Sequence, residues 1–237
     1  MKQTALLITF LSLLTACTAT RPLGSSASPN YPDDTLITQS LFNDKASTIS
    51  EENIQKILEG KYKLPQQLRA AIVRLEPTPQ LKITSWDYRS DEQYLKTQQS
   101  YLNLFSDNLK QSSRVTEISV VPDLLISKSP TFTNIREAGV RMQADIVVIY
   151  AVTSDIYSKY KFFSKPEIKA YATTQLIILD VKTGLIPFST IVTKDFLSQK
   201  KKEELENSEA ASRIQNEAVL LTINEIGQKI TAFLNTK

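Results

Sequence analysis

The sequence predicts an α/β fold: a single three-layer sandwich in which a mixed β-sheet is flanked by helices. Three observations predict it. The runs Ala144 to Val152, Ile168 to Val181 and Leu185 to Phe196 are dominated by β-branched and aromatic residues, as strands are. The first run is apolar on both faces, which suits a central strand covered by helices on either side. The segments around these runs carry helical periodicity, giving the order helix, strand, helix, strand, helix, three strands, helix. No repeat of fixed period is present.

Each element has a local reason. Ser50 fits an N-cap, with Glu51 and Glu52 at the positive helix end and Ile49 and Ile54 as a hydrophobic staple. Ile54, Ile57 and Leu58 are the expected apolar face, and Gly60 the stop. Leu68 to Leu75 is the first strand, ended by Pro77 and Pro79, which remove ladder donors. Ser90 and Gln93 form a capping box for a helix to about Gln111, with Tyr94, Leu95, Gln98, Leu102, Phe105 and Leu109 on one stripe. Val115 to Ile126 is the second strand, with Pro122 as a bulge or edge marker. Thr133 is the expected cap of a third helix that turns Ile135, Ala138 and Met142 inward. The last two strands form a hairpin through Lys182-Thr183-Gly184, where glycine can take positive φ. A solvated charge run from Ser198 to Glu204 leads to a long final helix, from Ser208 to about Asn235. Its apolar positions are Ile214, Ala218, Leu221, Ile226, Ile230, Phe233 and Leu234.

The amino terminus sets the compartment. One lysine, an apolar run from Ala5 to Leu14 and the small residues before Cys17 form a secretory signal peptide over residues 1–16. The run is too short to span a bilayer, which takes about 20 apolar residues. Cys17, the single cysteine, follows small residues as in the bacterial lipobox, which implies cleavage before it and acylation (palmitate among the chains) of the new terminus. Thr18 is not the aspartate that marks inner-membrane retention, so the expected place is the outer membrane, with the domain facing the periplasm. Residues 17–45, with three prolines and no periodicity, read as a tether, and residues 46–237 as one domain.

Composition narrows the function. The formal net charge is +3, one unit of it in the signal, which argues against a nucleic-acid partner. The chain has no histidine, its one cysteine is assigned to lipid, and its five glycines are scattered, with no phosphate-cradling loop. Carboxylate pairs such as Glu203-Glu204 are neighbours in a charge run rather than groups converging on a cleft. The expectation is therefore a protein that is not an enzyme, with no cofactor and no metal site. The most unusual segment holds Tyr157, Lys159, Tyr160, Lys161, Phe162, Phe163 and Lys165 between two strands. Read one way, its rings pack on the domain. Read the other, it is a contact surface, since aromatic side chains with polar neighbours are enriched at interfaces.

The Ala144-Asp145 strand start, the Leu176 to Gly184 hairpin with its Asp180-Val181-Lys182-Thr183-Gly184 turn, and the Asn216-Glu217-Ala218-Val219 stretch of the last helix together resemble the curli-secretion lipoprotein superfamily (CsgG-like). The lipobox cysteine is typical of it. The resemblance spans residues 65–234 in element order. It implies a periplasmic α/β domain with no catalytic residues, working with envelope proteins and with copies of itself. Channel members insert two membrane hairpins per subunit, and a barrel strand needs about 9–11 alternating residues. The connection from Ser154 to Glu167 is expected to be too short and lysine-rich for one, and that from Thr193 to Asn207 too charged for the other, so a member without a pore of its own is expected. Two roles follow: structure or assembly in an export or secretion system of the envelope, or regulation of a periplasmic enzyme such as a peptidoglycan synthase. A tether of about 28 residues reaches under ~95 Å even fully extended, which is short for crossing the peptidoglycan and favours the first.

Overall fold

The computed structural model describes residues 36–39, 49–75, 91–126, 130–161 and 164–236, within one compact unit, Asp34–Lys237. The signal, Cys17, most of the tether, Pro77, Pro79, Ser90, Phe162 and Phe163 lie outside the described residues. The elements are α1 (Glu51–Glu59), β1 (Leu68–Leu75), α2 (Asp91–Lys110), β2 (Val115–Val120), a 3₁₀ turn (Asp123–Leu125), α3 (Phe132–Arg141), β3 (Ile146–Lys161), β4 (Ser164–Asp180), β5 (Phe188–Gln199) and α4 (Asn207–Leu234). The sheet order is β2-β1-β3-β4-β5. β1 is parallel to β2 and β3, while β3–β4 and β4–β5 are antiparallel, so the sheet is mixed.

Alternation along β3 assigns the layers. Ile146, Val148 and Tyr150 face α2 and α4, together with Leu68, Phe105, Leu176, Ile178, Ile214, Ile223 and Ile230. Val147 and Ile149 face α3 with Ala71, Val73, Ile135, Ala138 and Leu179. A strand with five successive buried residues, Ile146 to Tyr150, is apolar throughout because helices cover both its faces. Phe105 lies on Tyr150 with ring centroids 4.5 Å apart.

Several boundaries differ from the sequence reading. The sequence reads Ser154 to Glu167 as a connection; instead β3 extends to Lys161, β4 begins at Ser164, and the two pair out to those residues. Asp155 and Tyr157 on β3 alternate with the half-buried Ile156, and Lys169 and Tyr171 on β4 alternate with the buried Ile168 and Ala170, as a strand with one wet face requires. Pro166, which cannot donate to the ladder, lies where the register shifts between Lys159 and Lys161. The β2 strand stops at Val120 instead of Ile126, because Pro122 ends it and a 3₁₀ turn follows. The cap of α3 is Thr131, two residues before the expected Thr133. Its hydroxyl accepts from the Asn134 amide at 3.2 Å and the Asn134 side chain answers, a reciprocal capping box. Leu58, Leu95 and Leu221, assigned to buried faces, are exposed, and Tyr101 takes the inward position on α2. Ser50 caps α1 as expected, accepting from the Asn53 amide at 3.3 Å.

Candidate functional site

On the α3 side of the sheet, helix cover ends near Ile177 among the described residues. Beyond it β3, β4 and β5 present a bare face in four cross-strand rows: Ala151–Gln175–Ile191, Thr153–Thr173–Thr193, Asp155–Tyr171–Asp195 and Tyr157–Lys169–Leu197. The rows exist because α4 claims the other face. Along β5, Val192 and its even-numbered neighbours are buried or half-buried while the odd-numbered residues are exposed. Four large side chains stand in solvent here: Tyr157 at 57 %, Tyr171 at 40 %, Ile191 at 65 % and Leu197 at 57 %.

Contacts within the face fix its shape. Tyr157 and Tyr171 meet edge to face, centroids 5.6 Å apart. Lys169 Nζ lies 4.7 Å from the centre of the Tyr171 ring and bonds Asp195 at 2.8 Å. That hydrogen bond raises the Lys169 ammonium above its usual range and lowers the Asp195 carboxyl below its own. The Tyr157 hydroxyl is raised by its hydrogen bond to Asp155. Thr173 and Thr193 share a hydrogen bond at 2.9 Å. Lys169 and Asp195 neutralise each other inside the face and Asp155 adds one carboxylate beside Tyr157, and what remains for a partner is aromatic and aliphatic surface with hydroxyl and amide groups around it.

Of the residues singled out in the sequence, Tyr157 belongs to this face. Lys159, Tyr160, Lys161 and Lys165 lie on the outer ends of β3 and β4, their side chains outside the described ones, and Phe162 and Phe163 fall in the gap between. The sequence reading missed Tyr171, Lys169, Asp195, Ile191 and Leu197. Their signal was the odd-residue alternation on β4 and β5, readable only once the strand register is known.

The residues that carried the family resemblance shape the chain. Asp145 receives Arg69 through Nε at 3.0 Å and Nη2 at 2.9 Å and accepts the Arg69 amide at 2.8 Å, fixing the start of β3 to the start of β1. Those hydrogen bonds lower its carboxyl pKa. Asp180 accepts from the amide and hydroxyl of Thr183, both at 2.7 Å, and from the Tyr62 hydroxyl at 3.0 Å. Gly184 closes that turn at φ 76°, the left-handed region open to glycine. A separate polar group lies under α2: the buried Tyr150 hydroxyl has no hydrogen-bond partner among the described residues, and burial pushes its pKa up to about 12. Arg74 nearby donates to the Tyr94 hydroxyl at 2.8 Å. Among the described residues no group of three or more Asp, Glu, His or Cys is arranged to hold a metal ion, and no helix is long and apolar enough to cross a membrane.

No protein-family model matches the chain, and no curated protein matches it. Solved structures similar to it include a hypothetical protein from Chlamydia trachomatis, 11% identical with a TM-score of 0.41, the match covering 72% of this chain and 99% of that one. A minor lipoprotein from Acinetobacter baumannii is 10% identical with a TM-score of 0.35, covering 69% and 93%. The PelC dodecamer from Paraburkholderia phytofirmans is 12% identical with a TM-score of 0.32, covering 68% and 89%. At these scores the likenesses carry no argument about function.

Proposed function

We propose that this chain is an outer-membrane lipoprotein of the CsgG-like kind, anchored through Cys17. Its periplasmic domain has a structural or assembly role in an export or secretion system of the envelope, without enzymatic activity and without a pore of its own. The observation that carries the proposal is the bare face. A rigid three-strand platform holding Tyr157, Tyr171, Ile191 and Leu197 in solvent is suited to a protein partner, since exposed aromatic clusters on fixed elements are where binding energy concentrates. Lys169 is neutralised by Asp195 and Asp155 adds a carboxylate, so the described face does not attract anionic headgroups. The outer half of the β3–β4 hairpin is long enough for a barrel strand, but one side packs in the core with α4 through Ile168, Ala170 and Ala172, and the other carries Asp155 and Lys169, charges unsuited to face lipid.

The test is a Tyr157→Ala, Tyr171→Ala double variant of the full chain, cross-linked in intact cells. The expected result is an unchanged thermal melt of the purified protein with loss of its cross-linked protein adduct, for about 2 kcal/mol or more of binding. A large fall in melting temperature, or an adduct that survives, refutes the reading.

A further inference from the structure

We infer that two copies of this chain join edge to edge through β5, antiparallel, about a two-fold axis at Lys194, making one continuous sheet. This surface is the backbone edge of the sheet, and its argument does not rest on the function proposed for the bare face, although Ile191 and Leu197 border both.

An edge strand offers a row of unpaired amide and carbonyl groups, and proteins that remain apart blunt it with brevity, proline, a bulge or outward charge. The opposite edge, β2, is blunted by its length of six residues, with Pro122 two residues past its end. The β5 edge is longer. After Pro187 it runs for 12 residues without a further proline, and its pairing with β4 is continuous from Phe188 to Gln199 with no register shift. Its two charges are both drawn back onto their own copy. Lys194 bonds Glu225 of α4 at 2.5 Å, and Asp195 bonds Lys169 of β4 at 2.8 Å. Among the described residues, β5 is paired on its β4 side alone.

The sequence of β5 selects the partner and the register. In a two-fold pairing that keeps both α4 helices on one face, residues opposite each other are of the same parity. With the axis at Lys194, Leu197 falls opposite Ile191 of the second copy on the bare face, and Phe196 opposite Val192 on the helix face. The two Lys194 lie opposite each other on the axis, each held by its own Glu225, and Thr193 lies opposite Asp195, itself held by Lys169. Shifting the axis to Thr193 sets Asp195 against Ile191 and Phe196 against Thr190. Shifting it to Asp195 sets Leu197 against Thr193 and Val192 against Ser198, so both apolar matches are lost. A self-complementary pairing of this kind is the commonest form of homo-oligomer.

The test uses the full chain carrying Cys17→Ser, so that introduced cysteines are the only thiols. Under mild oxidation, mixing Ile191→Cys with Leu197→Cys should give a disulfide-linked dimer of the two variants. Neither variant alone should link to itself, because the two positions lie about 20 Å apart along the strand, beyond disulfide reach. In sedimentation the parent should be dimeric, and Ile191→Lys with Leu197→Lys should weaken self-association about tenfold or more without moving the melt, since both side chains are exposed. A monomeric parent overturns the proposal. So does a dimer that fails to cross-link between 191 and 197, or one that the lysine pair leaves intact. Loss of the Tyr157, Tyr171 adduct with this dimer retained would support the face reading independently, so failure of either is told from failure of the other.

Discussion

Gly227→Ala reverses the sign that helix propensity assigns it. In a helix interior, alanine is better than glycine by about 1 kcal/mol. Gly227 lies within α4, against α2. A β-carbon there would collide with Asn108 Cγ and Nδ2 and lie 2.7 Å from its Cβ. Turning the Asn108 side chain about its Cα–Cβ bond relieves the first two contacts but not the third, because the Asn108 β-carbon is fixed to the α2 backbone. The helices must separate, and α4 holds α2 through the Thr231 hydroxyl, which donates to the Asn108 carbonyl at 3.2 Å. Overpacking of this kind costs about 1–3 kcal/mol, so after the propensity gain the expected net loss is up to about 2 kcal/mol. For a domain of this size that lowers Tm by up to roughly 8 °C. The assay is thermal and urea denaturation of four proteins: the parent, Gly227→Ala, Asn108→Ala and the double variant. Asn108→Ala removes the two closest contacts, so the double variant should recover most of the loss, a coupling that independent sites would not show. A Gly227→Ala protein more stable than the parent, or additive losses, would refute the close approach of α2 and α4.

Phe105→Ala empties a fully buried ring position against Tyr150 and should cost about 3–5 kcal/mol in urea denaturation. Asp145→Asn should weaken the fold at neutral pH. The Asp145 carboxyl is lowered by Arg69, so its contribution is present above the ordinary aspartate range, about pH 4, and lost as pH falls through the lowered value. The difference between parent and variant should therefore shrink in acid, checked by urea melts at neutral and low pH. Cys17→Ser should release the protein from the outer-membrane fraction on cell fractionation, and retention there as firm as the parent's would refute lipid anchoring.

Element order was legible because each strand and helix keeps one period over its length, and Ile146 to Tyr150 shows its double burial directly in composition. The outer halves of β3 and β4 were not legible. Tyr157, Lys159 and Lys161 have the composition of a turn, and only the β3–β4 pairing shows strand here and sets Tyr157 opposite Lys169 on a wet face. For the same reason one half of the candidate face was found in the sequence, through Tyr157, and the other half was not. Lys169, Tyr171, Asp195 and Leu197 come from two other strands, and nothing local says that they meet. The aspartates of the family resemblance were visible as motifs, but their work, clamping Arg69 and closing the Thr183 turn, is a matter of geometry.

The last helix has a consequence for when the domain can fold. Ala210, Ile214, Ala218, Val219, Ile223, Ile226, Ile230 and Leu234 all belong to the larger of the two cores, and they lie in the 28-residue helix α4. Before that helix is in place, one side of β4 and β5 lacks its cover and the sheet cannot close. On the export route proposed above, this would keep the polypeptide in the extended form a translocation channel accepts, and a chain cut short before Ile214 would be a target for proteases rather than a smaller domain.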